Sequence, residues 1–166
     1  MAVSDSPPNA DVSSPVQHGT EAFERSLRRL LDADAAVPAR ILFHGGTREI
    51  RQQALATLTR HTTANVHQFR VPSLLKEKRM QTQNALRKAF DHAAEESALL
   101  YFDAADALFT HSHADTPDEE EGAIPTTTEY FFERVGAYDG DLVLALQKTR
   151  HVEWTAEKVH LVVQFE

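Results

Sequence analysis

Residues 98–109 read Ala98-Leu99-Leu100-Tyr101-Phe102-Asp103-Ala104-Ala105-Asp106-Ala107-Leu108-Phe109. The apolar run 98–102 has no polar alternation that would leave one face in water, so it predicts a strand buried on both faces. Such strands belong to parallel sheets covered by helices, which makes the chain an α/β protein. Asp103 then stands at the carboxyl end of the strand, where open parallel sheets bind their ligands. Ala104–Phe109 predicts a short helix after it.

Working outward, the segment 76–96 predicts a long helix burying Leu86, Ala89, Phe90 and Ala93. Before it, 65–71 alternates as a strand and Pro72 ends it. Further upstream, Ile41-Leu42-Phe43 reads as a short buried strand, and Gly45-Gly46 turns the chain. Thr47 then caps a helix carrying Ile50, Ala54 and Leu58. Phe23, Leu27, Leu30 and Leu31 mark an amphipathic helix from Thr20 to near Asp34. Downstream, Thr126-x-x-Glu129 has the capping-box pattern and opens a helix burying Phe131, Val135 and Tyr138, with Gly140 as its stop. Strands at 142–146 and 161–165 complete the pattern. The expectation is a three-layer sandwich around a mainly parallel five-stranded sheet, with residues 20–166 as one domain.

The chain has 166 residues, 42% of them apolar, with 25 acidic and 17 basic side chains and a net charge of −8. That length supports a core without staples, and the absence of cysteine excludes disulfides and thiolate chemistry. The charge is uneven. Asp5 and Asp11 fall in residues 1–19, and Asp115, Asp118, Glu119, Glu120 and Glu121 fall in 111–122, leaving 18 acids against 17 bases elsewhere. Residues 1–19, rich in Ser, Pro, Asp and Asn, are expected to be a disordered leader, and 111–124 an acidic loop. No apolar run approaches the roughly 18 residues needed to cross a bilayer, and no secretory signal is legible. A cytoplasmic protein with no membrane partner is expected. The nearly neutral body also argues against nucleic acid.

The sites at strand ends are Gly45, Gly46, Thr47 and Arg48; Asp103 with Asp106; and Gln147 with Lys148. In that order they resemble the phosphate loop, acidic strand end and sensor of AAA+ ATPases of bacterial type. The likeness extends to Asn84–Phe90 followed by 98–109, similar to the family's NLRRLF…ILFFDEADALF. It extends also to Tyr130–Arg134, Tyr138–Gly140 and Leu142–Gln147, and to His160–Phe165 before the family's lid. It covers about residues 39–166. The resemblance implies an AAA+/P-loop NTPase-like fold, with Asp103 matching the magnesium-water carboxylate.

Departures from the pattern imply loss of activity. His44-Gly45-Gly46-Thr47-Arg48-Glu49-Ile50-Arg51 replaces GPPGTGKT, so neither the phosphate-binding Lys nor the hydroxyl after it has a match. Arg48 and Arg51 are the nearby cations, with Glu49 opposing an anion between them; the other reading of this segment is a tight strand-to-helix turn. Ala104 stands where the water-polarising Glu belongs, a group worth about 10²–10⁴-fold in rate. Asp103 has a second reading as an N-cap, and Gln147 as an ordinary strand-end residue. Glu157-Lys158-Val159-His160 lacks the arginine finger, Lys78-Arg79-Met80 lacks the pore-loop aromatic and glycine, and the helical lid is expected to be absent.

Nine histidines raise a metal reading, centred on His111-x-His113 with Asp115, but a solvated loop is the expectation and no metal is assigned. Trp154 reads as a packing anchor. The expected function is a pseudo-ATPase with degenerate Walker motifs. It would bind a protein partner, either an active AAA+ ATPase or a second copy, with no cofactor. The alternative is an ATP-binding AAA+ protein with weak or partner-dependent ATPase activity, using ATP and magnesium through Gly45, Gly46, Thr47, Arg48, Asp103 and Gln147.

Overall fold

Apolar runs without alternation become strands because only a position between two layers of side chains satisfies both faces. In a computed structural model, the residues described are 15–32, 34, 35, 37–115 and 124–165. Their strands are β1 (Val16–Gln17), β2 (Arg40–His44), β3 (Val66–Arg70), β4 (Leu99–Asp103), β5 (Leu142–Leu146) and β6 (Leu161–Gln164). Their helices are α1 (Glu21–Leu30), α2 (Arg48–Thr59), α3 (Val71–Leu74), α4 (Arg79–Glu95), α5 (Ala107–Thr110), α6 (Thr126–Ala137) and α7 (Thr149–Thr155), followed by a 3-10 turn, Ala156–Lys158. The strands form one all-parallel sheet of six in the order β1-β6-β2-β5-β4-β3. The α/β class and parallel sheet match the expectation.

The expected count of five strands is corrected to six. The added strand, Val16–Gln17, lies within the segment read as a leader and pairs with Val163 and Gln164 of β6. Two residues show no period, so composition alone governed the reading there. Residues 1–14 of that leader, and 116–123 of the acidic loop, lie outside the described residues.

The chain divides into two compact units, residues 1–63 with 146–166, and residues 64–145. In the first, Thr20 caps α1 by accepting the Phe23 N–H at 3.3 Å, and Phe23 and Leu27 are buried. The Phe165 ring packs edge-on against Phe43, with centroids 5.2 Å apart. Helix α7 was not expected. Its stretch is rich in β-branched and polar residues of low helix propensity, but His151, Val152 and Thr155 are buried by tertiary packing.

In the second unit, Phe102 is the centre of an aromatic cluster, with ring centroids 5.7 Å from Phe69, 5.3 Å from Phe90 and 5.0 Å from Phe131. Each such pair adds about 0.5–1.5 kcal/mol beyond area burial. The predicted helix 76–96 instead begins at Arg79, because the Lys76 N–H donates to Thr82 Oγ1 at 2.7 Å and ties the preceding segment into a loop. Helix α6 starts one residue earlier than the capping box implied. Pro125 is its cap, with no side-chain cap bond. Gly140 does not end this helix, which closes at Ala137. A Cβ at Gly140 would lie 2.8 Å from the Ala98 carbonyl and from the Tyr138 ring, so close packing is what demands glycine.

Candidate functional site

The turn after β2 is built by two consecutive left-handed glycines, Gly45 with φ +84° and Gly46 with φ +77°. This backbone is open to glycine and strained for other residues. Thr47 is extended and its Oγ1 accepts the Ile50 N–H at 3.2 Å, so the predicted N-cap is present. Arg48 is exposed in the first turn of α2, where a cation opposes the positive end of the helix dipole.

Arg51 lies four residues after Thr47, on the same helix face. It is buried, and its Nη1 donates to the Gly46 carbonyl at 2.6 Å and, more weakly, to the Gly45 carbonyl at 3.4 Å. Gln147 reaches the same two carbonyls, its Nε2 lying 3.3 Å from Gly46 O and 3.4 Å from Gly45 O. The Gly45 N–H is itself committed to Leu146 O at 3.0 Å. The Arg51 and Gln147 side chains thus converge on the carbonyl oxygens of Gly45 and Gly46, next to the Thr47 cap.

Asp103 belongs to the second unit, at the end of β4, and is 4% exposed. Its Oδ1 accepts the Tyr101 hydroxyl at 3.3 Å and the Ala104 N–H at 3.0 Å. Tyr101 is two residues back, on the same strand face. Ala104 has φ +54°, and Ala105 N donates to Ala145 O at 3.0 Å. The short helix begins only at Ala107 with no side-chain cap bond, so the N-cap reading of Asp103 is corrected. Its carboxylate ties down the turn immediately after the strand.

The first part of the acidic loop is not solvated as expected. His113 is buried, with Nε2 at 3.0 Å from Thr82 Oγ1 and Nδ1 at 3.5 Å from Thr127 Oγ1. His111 Nε2 lies 2.9 Å from the Lys76 carbonyl, and Ala114 N donates to Glu77 O at 2.8 Å. Asp115 accepts the Arg79 N–H at 2.9 Å, a bond that holds its carboxyl below the usual carboxylate range. The ligand atoms of the His111, His113 and Asp115 reading therefore have other partners. Trp154 is half-buried, with Lys158 Nζ 4.3 Å above its ring centroid.

A second group of histidines was missed. His67, His92 and Glu96 bring one donor atom each to within 4.8 Å of one another. The His92-x-x-x-Glu96 spacing was a legible signal, because residues four apart share a helix face. No protein-family model and no curated protein matches the chain.

Proposed function

We propose that this chain is a catalytically inactive AAA+-like domain of three-layer α/β architecture, serving as a protein-binding or scaffolding module. The observation that carries this reading is the double tether on the glycine turn. Arg51 and Gln147 both donate to the carbonyls of Gly45 and Gly46. A phosphate site needs backbone amides and a cation turned toward the anion. Here the buried cation is bonded to the turn itself, at 2.6 Å. Asp103, the candidate magnesium carboxylate, is likewise occupied by Tyr101 and Ala104. The residues present do not fit a nucleotide with magnesium.

The test is calorimetric titration of the full chain with ATP and magnesium, with thermal unfolding in parallel. No saturable heat and no shift in Tm are expected at millimolar nucleotide. Micromolar binding weakened by Asp103→Ala would overturn the proposal in favour of an ATP-binding protein. The scaffolding half is tested by native mass measurement of the chain purified with its partners. An assembly of fixed stoichiometry is expected, and a chain recovered only as a monomer would remove that half.

A further inference from the structure

The second unit holds a convergence of side chains that the glycine turn and Asp103 do not use. His67 projects from the sheet-edge strand β3, His92 from the last turn of α4, and Glu96 caps that helix. We propose that His67, His92 and Glu96 bind one divalent transition-metal ion, zinc being the archetype, through two imidazoles and one carboxylate. Water would complete the coordination.

The spacing of the donors is close to what a shared ion needs. His67 Nε2 and Glu96 Oε2 are 3.3 Å apart, long for a charge-assisted hydrogen bond of about 2.7–2.9 Å. Two donors about 2.0–2.2 Å from a tetrahedral zinc are spaced by roughly 3.3–3.5 Å. That pair is therefore already at ligand spacing. The widest separation in the cluster is within 4.8 Å, so the remaining adjustment is about 1.5 Å on that same spacing. It falls to His92, whose side chain is 65% exposed, while that of His67 is 15% exposed and stays in place.

The surroundings hold the ligands in position. Asn65 Nδ2 donates to Glu96 Oε1 at 3.1 Å, which leaves Oε2 directed at His67 and supplies the outer partner that metal carboxylates require. The Glu96 backbone is fixed by a tight exit from the helix. Its N–H bonds to Ala93 O at 3.2 Å, Ser97 takes φ +52°, and Ala98 N bonds to Ala93 O at 3.0 Å. The adjoining connection is pinned by Leu99 N to Asn65 O at 2.8 Å. The site also lies at a helix C-terminus, whose partial negative charge favours a cation. Two imidazoles and a carboxylate suit zinc, nickel or cobalt better than calcium or magnesium, which prefer all-oxygen shells.

The test is titration of the full chain, stripped with chelator, with zinc by calorimetry and with cobalt by visible absorption. One ion per chain is expected at micromolar affinity or tighter, with a rise in Tm on zinc addition. His92→Ala and Glu96→Gln change exposed side chains, so circular dichroism should be unaltered while affinity falls at least tenfold. Asn65→Ala should weaken binding by about 10–100-fold, the usual effect of losing an outer partner. His111→Ala serves as the control and should bind like the parent. Absence of saturable binding would overturn the proposal, and so would binding that either His92→Ala or Glu96→Gln leaves unchanged.

Discussion

Gly46 offers the sharpest test of how the turn is held. An added Cβ would lie 2.8 Å from Phe165 Cβ and 2.9 Å from Ile50 Cγ2. Neither neighbour is a loose chain end. Phe165 is 6% exposed, and its ring packs on Phe43 and on His18. Gly46→Ala therefore carries two penalties. The left-handed backbone costs about 1–2 kcal/mol, and overpacking adds about 1–3 kcal/mol. Reduced freedom of the unfolded chain returns about 0.4–1 kcal/mol. The net loss is about 2–4 kcal/mol. Gly45 and Gly19 share the positive φ, both at +84°, but a Cβ at Gly45 meets only Phe165 O at 3.6 Å and one at Gly19 meets nothing. Those two substitutions should cost about 1 kcal/mol each. At about 2–4 °C per kcal/mol for this chain length, Gly46→Ala should lower Tm by roughly 5–15 °C and the controls by a few degrees. Thermal and urea unfolding of the three variants decides the matter. A Gly46→Ala protein as stable as Gly45→Ala would refute the claim that Phe165 and Ile50 set the shape of the turn.

Two further outcomes follow from buried hydrogen bonds. Tyr138→Phe removes the hydroxyl that donates to Ala98 O at 2.5 Å and should cost about 1–2 kcal/mol, read as a lower urea midpoint at unchanged m-value. His160 Nδ1 accepts the Arg40 N–H at 2.9 Å, and burial, followed by the charges of Arg40 and Arg29, lowers its pKa. The folded state thus binds a proton less readily than the unfolded chain, so this stability is fully present above the ordinary histidine value and is lost as pH falls below about 6.5. His160→Asn keeps an acceptor that cannot titrate, and its urea midpoint should decline less between pH 7 and pH 5 than that of the parent; equal slopes would count against the assignment.

How much of this was legible in the sequence depends on the range of the interaction. The run 98–102 announced a buried strand because its signal is local, and β4 is buried throughout. Leu86, Ala89, Phe90 and Ala93 were legible for the same reason, since a helical period repeats within one segment. Thr47 declared its cap through chemistry reaching only three residues. By contrast, β1 exists only because β6 offers an edge to pair with, and β6 lies about 150 residues away in sequence. The strand-end logic singled out Gly45–Arg48, Asp103–Asp106 and Gln147–Lys148, but the direction of the Arg51 and Gln147 bonds, toward carbonyls, was not readable from residue types. His113 looked solvated because its neighbours in sequence are polar. Its partners in space are Thr82 and Thr127, and those decide its burial.

A common physical thread connects the polar groups that the proposed reading singles out. A buried polar group must be satisfied, since an unpaired buried donor or acceptor costs about 1–3 kcal/mol. In the first unit Arg51 is 8% exposed and bonded to the turn. In the second, Asp103 is held by Tyr101 and Ala104, and the Arg79 N–H donates to the Asp115 carboxylate. A turnover enzyme keeps such groups poised for an external partner, because catalysis depends on interactions made anew in the transition state. Here each group draws its stabilisation from the chain's own atoms, and ATP would have to break those bonds before making its own. His67, His92 and Glu96 combine a long contact with a movable member. If the chain takes an inorganic ligand, that sheet edge is therefore the better place to look for it than the glycine turn.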